Sequence, residues 1–288
     1  MFSGSFVALV TPMNADGSLA IPALRDLVAW HIEQGTQGII AAGTTGESAA
    51  LTFSEYQQVI REVLLETKSR IPVIAGTGTN STEKTIELTR TAKELGADAC
   101  LILTPYCVKP TQQGLLLHYQ KIADSVAIPQ ILYNAPGRTA VDLLPETVKQ
   151  LVAYPNIVGI KECVSENNRC EILVKLAGKQ MDILTGDDCT SYEAMRVGGQ
   201  GVISVTANIA PKLMREFCDA MLIGDFAKGQ KHDQQLQVLH RVMFLESNPI
   251  PVKWALQQMG LIPSGIRLPL TPLSVQYHTA LNEALHGL

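Results

Sequence analysis

Eight short runs of apolar, mostly β-branched residues recur along the chain: FVALV at 6–10, GIIAA at 38–42, IPVIA at 71–75, ACLIL at 99–103, PQILY at 129–133, NIVGIK at 156–161, MDILT at 181–185 and GVISV at 201–205. They are apolar throughout instead of alternating with polar positions, the pattern of strands covered on both faces. Between them lie stretches with apolar residues three and four positions apart, clearest at 53–68 and 82–95, which predict helices. Start and stop signals agree: Ser81 or Thr82 ahead of a glutamate, Pro145 at a helix opening, Gly96 and Gly178 after closing turns. Eight β-then-α units predict a parallel sheet, and eight strands close such a sheet into a (β/α)8 TIM barrel. After the eighth strand the pattern is helical only, at 211–223, 225–245, 250–259 and 274–286, broken by NPIP and RLPLTP. The first of these is expected to be the eighth barrel helix. The predicted division is a barrel domain over 1–224 and a C-terminal helical extension over 225–288.

In a barrel of this kind the chemistry sits at the carboxyl ends of the strands. Those ends read Thr11-Pro12, GTTGES (43–48), GTGTN (76–80), TPYC (104–107), YNAPGR (133–138), Lys161-Glu162, TGDD (185–188) and SVTAN (204–208), a gathering of hydroxyls, a phenol and glycine-flanked amides. Lys161 ends an otherwise apolar strand. Apolar walls around it favour the neutral amine, a nucleophile that forms a Schiff base with a carbonyl carbon. The same lysine can instead snorkel to water or pair with the adjacent Glu162. Lys253, in NPIPVKWAL after two prolines, is expected to pack or to make a surface pair. By position alone, Thr44 and Thr45 also read as loop and helix caps, and Tyr133 as an ordinary strand aromatic.

Composition removes several alternatives. The 288 residues suit either one α/β barrel with an extension or two domains, and the 46% hydrophobic content can fill a large core. Lys plus Arg is 23 against 27 for Asp plus Glu, a net charge of −4 with no basic block, so no nucleic-acid partner is expected. No apolar run nears the ~18 residues of a membrane span, and the first basic residue is Arg25, too late for a secretory n-region. A cytoplasmic protein without a membrane partner is the expectation. Cysteines 100, 107, 163, 170, 189 and 218 stand singly, without CxxC pairs or zinc spacing, so reduced thiols are expected, most of them small core residues. Six scattered histidines without HExxH argue against a metal, GTGTN lacks dinucleotide or P-loop spacing, and no GxSxG elbow occurs.

Three motifs in order at the ends of strands two, five and six, GTTGES, YNAPGR and GIKE (159–162), resemble the pyruvate-dependent class I aldolase family that contains N-acetylneuraminate lyase and dihydrodipicolinate synthase. VTPM (10–13), IPVIAGTG (71–78), GDD (186–188), GVISVTAN (201–208) and NPIPVKWA (248–255) extend the resemblance over nearly the whole chain, and it is most like the synthase branch. The resemblance implies that Lys161 condenses with pyruvate and that loss of a methyl proton then gives an enamine. Tyr133 would shuttle protons at the imine, Thr44 would extend that relay, and Thr45 with nearby amides would hold the pyruvate carboxylate. Arg138 would grip the carboxylate of L-aspartate-4-semialdehyde, as is typical of the synthase branch. Gly186 and Ile203 match positions that line the pocket through backbone groups. The implied reaction gives 4-hydroxy-tetrahydrodipicolinate, the first committed step of lysine and diaminopimelate biosynthesis, and uses no cofactor. The alternatives are an N-acetylneuraminate or 2-keto-3-deoxy sugar-acid lyase of the same family, or a catalytically impaired binding barrel. A homotetramer, a dimer of tight dimers with a cross-interface loop around 104–110, is also implied.

Two departures stand out. The synthase branch usually carries TPYY after strand four, the second tyrosine completing a proton relay across a subunit interface. Here TPYC puts Cys107 there, so either water, Tyr106 or a neighbouring loop takes over the role or the rate is lower. Lysine-inhibited members use residues matching Ser48, Ala49, Asn80 and Tyr106, all present, but Phe53, Tyr56 and Lys84 stand where those members carry histidines and a glutamate. Lys84 would repel the ammonium of a bound lysine, so weak or absent feedback inhibition is expected.

Overall fold

The computed structural model describes residues 2–166, 168–177 and 180–287; the helix stop expected at Gly178 lies outside them. Eight parallel strands close in chain order: β1 Gly4–Ala8, β2 Gly38–Ala41, β3 Val73–Gly76, β4 Ala99–Leu103, β5 Gln130–Asn134, β6 Ile157–Glu162, β7 Asp182–Thr185 and β8 Gly201–Ser204. β1 completes the circle by pairing with β8, Gly4 opposite Gly201. Each strand lies within two residues of its hydrophobic run, as continuous burial on both faces predicts.

Two apolar layers follow from the pleat, which sends successive side chains to opposite faces. Phe6, Ala8, Ile40, Ile74, Leu101, Ile131, Leu184 and Ile203 fill the barrel interior. Val7, Ile39, Val73, Cys100, Leu132, Ile160, Ile183 and Val202 face outward against the helices. The helices between strands are α1 Ile21–Glu33, α2 Phe53–Thr67, α3 Thr82–Leu95, α4 Gln112–Ser125, the short α5 Pro136–Thr139, α6 Pro145–Leu151, α7 Arg169–Ala177 and α8 Ser191–Arg196. Their ends follow the sequence signals. Thr52 and Glu55 form a capping box on α2, the Ser81 hydroxyl caps α3, Gly96 closes it at φ +100°, and Pro145 opens α6.

α9 Pro211–Leu222 packs against β1 and β8, and α10 Phe226–Val242, α11 Ile250–Gln258 and α12 His278–Leu285 follow. The α5 turn and two 3-10 turns, at Ser48–Ala50 and Thr206–Asn208, were not foreseen; all three sit at strand ends and are too short for a periodic signal. Among the described residues no helix is long and apolar enough to cross a membrane. All six cysteines are free thiols, but only Cys100 and Cys218 are fully buried; Cys163, Cys170 and Cys189 are half-buried and Cys107 is exposed. Singly placed thiols at strand and helix ends carry no burial signal of their own, so the expectation that most would be core residues does not hold.

Candidate active site

Lys161 reaches the barrel interior because β6 carries a register irregularity. Ile157 faces the helices and Val158 the interior, and strict alternation would then turn residue 161 outward. The pairing with β5 shifts between Gln130 and Ile131, which oppose Ile157 and Gly159, so one residue is extra. A bulge of this kind reverses the alternation. Ile160 accordingly returns to the outer layer, and Lys161 joins Tyr133 inside.

Lys161 and Tyr133 are register partners on β6 and β5. The lysine is only 6% exposed and the tyrosine 7%. Lys161 Nζ stands 4.4 Å from the centroid of the phenol ring, and among the described residues it has no hydrogen-bond or ion-pair partner. Both alternative readings of this lysine therefore fail. It does not snorkel to solvent, and Glu162 turns to the opposite face, where its carboxylate meets Asn134 and the Val164 N–H. Gly186 makes room for the lysine stem: a Cβ there would come within 2.4 Å of both Lys161 Cε and Cys163 Sγ. Burial pushes the Cys163 thiol up to about 11, so it stays a neutral neighbour of the amine.

The GTTGES segment turns sharply off β2, with Ala42 at φ 49° and Glu47 at φ 55°. Thr11 Oγ1 donates to Gly46 O at 2.7 Å, and Glu47 N closes the turn on Thr44 O. Thr44 is half-buried. Thr45 is buried, and its Oγ1 accepts from Asn248 Nδ2 at 2.9 Å. Arg138, exposed on α5, donates through Nη2 to the backbone oxygen of Asn248 at 3.4 Å. Asn248 thus joins two predicted binding residues, and its own Oδ1 is buried without a partner. The sequence reading missed it, treating NPIP only as a break between helices; a polar residue in an otherwise apolar break was the available signal.

The extension reaches this loop a second time. Lys253 on α11 pairs with Glu47, both nearly inaccessible, which corrects its assignment to packing or a surface pair. Burial pushes the Lys253 ammonium below its ordinary value and Glu47 pulls it back. Arg267 N donates to the other Glu47 oxygen at 3.2 Å, and the Arg267 guanidinium holds Ala50 O and Glu55. With that guanidinium beside it, the Glu55 carboxyl falls to about 2.

Of the remaining predicted residues, Ile203 is fully buried in the interior layer with Tyr133 and Leu184. Tyr106 is half-buried, while Cys107 and Lys109, at φ 72° and 44°, stand in an exposed loop with Val108. Ser48 is half-buried; Ala49, Asn80 and Lys84 are exposed. Phe53 is also exposed, whereas Tyr56 is buried in the helix layer with its hydroxyl unpartnered.

An unpaired, buried amine beside a phenol, with a glycine at its stem, can capture a carbonyl compound and move protons around the adduct. Known proteins resemble the chain along its whole length. The sequence profile of the Dihydrodipicolinate synthetase family matches residues 1–288. The 4-hydroxy-tetrahydrodipicolinate synthase of Thioalkalivibrio sulfidiphilus is 56% identical over 285 residues, covering 99% of this chain and 97% of its own. That of Pseudomonas aeruginosa is 54% identical, with coverage of 99% and 98%. Among solved structures, a chloride-inhibited dihydrodipicolinate synthase from Acinetobacter baumannii complexed with pyruvate superposes with a TM-score of 0.99 at 52% identity, covering 100% of this chain and 99% of that one. One from Cyanidioschyzon merolae with lysine bound gives 0.96 at 33% identity, covering 99% and 98%.

Proposed function

The chain belongs to the dihydrodipicolinate synthetase family, and on that premise we propose how its barrel mouth performs the family's reaction, with Lys161 as the group that captures pyruvate. The protein is an enzyme; it condenses pyruvate with L-aspartate-4-semialdehyde to 4-hydroxy-tetrahydrodipicolinate, a step of lysine biosynthesis. The single observation that carries the assignment of roles is the buried, partnerless Lys161 Nζ against the face of Tyr133.

The Lys161 amine adds to C2 of pyruvate through its lone pair, and the carbinolamine loses water to leave a protonated imine. The Tyr133 phenol, whose ring lies against the amine, passes protons to and from the leaving oxygen. The imine withdraws electrons, so a methyl proton departs and an enamine forms; the lysine itself thus does what a separate cofactor would otherwise do. The enamine carbon attacks the aldehyde carbon of the semialdehyde, and the resulting alkoxide takes a proton. The amino group of the second substrate then displaces Lys161 from C2, which closes the ring and restores the enzyme. Thr45 and the amides of its loop hold the pyruvate carboxylate, where neutral donors suffice for an anion. Arg138, exposed at the rim, takes the second carboxylate with its planar fork. Thr44 carries the proton relay away from Tyr133, and Gly186 and Ile203 form the wall.

A substrate panel tests this reading. L-Aspartate-4-semialdehyde with pyruvate turns over, whereas N-acetylneuraminate and 2-keto-3-deoxy sugar acids do not; cleavage of a sugar acid at a comparable rate would move the chain to the lyase branch. Cys107, exposed on its loop, is not needed for turnover. Cys107→Ala keeps kcat close to that of the wild type, and a fall of ~100-fold, the scale of a lost acid–base group, would assign it a place in the relay. Lys84 repels a second ammonium and Tyr56 is turned into the core. Submillimolar lysine therefore leaves the steady-state rate unchanged, and inhibition in that range would contradict this. We place the enzyme in the cytoplasm as a dimer of tight dimers, with the 104–110 loop, exposed at residues 107–109, crossing between copies; light scattering at assay concentration checks the assembly.

A further inference from the structure

We propose that Glu162 and Asn134 are positioning residues, forming a buried staple on the outer face of the barrel that sets where the Lys161 amine and the Tyr133 phenol stand relative to each other. The inference rests on the roles assigned above to Lys161 and Tyr133.

In a strand, the side chain after an inward one points outward. Asn134 follows Tyr133, Glu162 follows Lys161, and the two outward residues are themselves register partners. Asn134 Nδ2 donates to both Glu162 oxygens at 3.1 Å, with Asn134 at 0% and Glu162 at 3% exposure. The same Nδ2 donates to Asp142 Oδ1 at 2.8 Å. Asp142 receives Arg169 Nη1 at 3.1 Å and Nη2 at 2.6 Å, and Arg169 Nη1 lies 3.7 Å from Glu162 Oε2. A closed ring of four polar side chains thus joins β5, β6, the segment between α5 and α6, and the start of α7. Backbone contacts pin it further: Leu143 N donates to Asn134 Oδ1 at 2.9 Å and Val164 N to Glu162 Oε1 at 2.8 Å. None of these side chains enters the barrel, so the ring acts on the reaction only through the strand ends it holds. Displacing one of them moves the amine against the phenol.

The ring also depends on the charge of Glu162. Its oxygens meet Asn134 from β5, the Val164 N–H from its own segment and Arg169 from α7, all donors. The other groups facing it are Asp142, the thiols of Cys163 and Cys170, and Thr185 of β7, whose hydroxyl turns to Asp187 O. The ionised carboxylate keeps every contact, whereas a proton on either oxygen breaks one. Burial pushes this carboxyl up to about 7, against the opposing pull of Val164, Asn134 and Arg169. The staple is therefore complete above neutral pH and loosened below it.

Kinetics on Glu162→Gln, Asn134→Ala and Arg169→Leu test the proposal, with circular dichroism and unfolding midpoints showing that each is folded at the assay temperature. In E162Q an amide N–H₂ confronts the Asn134 and Arg169 donors. Its kcat falls about 10- to 100-fold, the scale of an ångström's misplacement, while the pyruvate KM changes little. The rise of kcat with pH through the neutral range disappears in E162Q. In N134A and R169L, which each remove a group that holds the carboxyl down, that rise moves to higher pH. R169L changes a residue at the edge of the helix layer, so the pH test survives if E162Q does not fold. A folded E162Q with wild-type kcat, or N134A and R169L losing activity with the pH rise unmoved, overturns the proposal. Borohydride labelling separates the two readings: wild-type enzyme that gains no pyruvate on Lys161 overturns both, whereas labelled wild type with unchanged variants overturns the staple alone.

Discussion

Replacement of Lys161 by alanine lowers kcat by about 10⁴-fold or more, as loss of a covalent nucleophile does, and leaves the barrel folded. The second half of this expectation follows from the first observation. The amine holds nothing in place, since among the described residues Nζ has no hydrogen-bond or ion-pair partner, and its stem lies against Gly186. Truncation removes methylene packing inside the barrel and the contact with the Tyr133 ring, but breaks no hydrogen bond or ion pair. Steady-state kinetics with pyruvate and the semialdehyde, together with an unfolding midpoint close to that of the wild type, check both halves. Retention of even a hundredth of the wild-type kcat would mean that another group captures the ketone.

Lys253→Met gives the largest loss of stability. Removing one member of a buried ion pair leaves the other charged and unsolvated, at a cost of about 3–5 kcal/mol. Here Glu47 would be the stranded partner, keeping only the Arg267 N–H. The unfolding midpoint should drop by roughly 10 °C. Glu47 is also part of the turn that carries Thr44 and Thr45, so pyruvate binding should weaken along with it. Combining Lys253→Met with Glu47→Gln removes both charges and should recover most of the stability. A Lys253→Met protein as stable as the wild type would show that the pair contributes nothing beyond its packing.

These two lysines show what a chain reveals before it is folded. The strand runs and helix caps were legible because burial on both faces and capping are local demands, written within a few consecutive residues. The strand-end address of Lys161 was legible for the same reason. Its inward direction was not, because that depends on an extra residue in the β5–β6 pairing, a matter of two distant segments. Lys253 was misread since its partner Glu47 lies 206 positions away, and no spacing rule links them. Asn248 and the ring around Glu162 were missed on the same ground: Thr45, Arg138, Asp142 and Arg169 come to them from separate elements. Arg138 was named from its motif, but its place on a single helical turn, α5, has no periodic signature.

The central claim is that the Lys161 amine forms an imine with pyruvate. It is tested most directly by adding borohydride to the enzyme in the presence of pyruvate alone and mapping the modified peptide by mass spectrometry. A reduced pyruvate adduct on Lys161, absent without pyruvate and absent in Lys161→Ala, is the predicted result. An unmodified Lys161 in active enzyme, or an adduct carried by a different lysine such as Lys253, would contradict it.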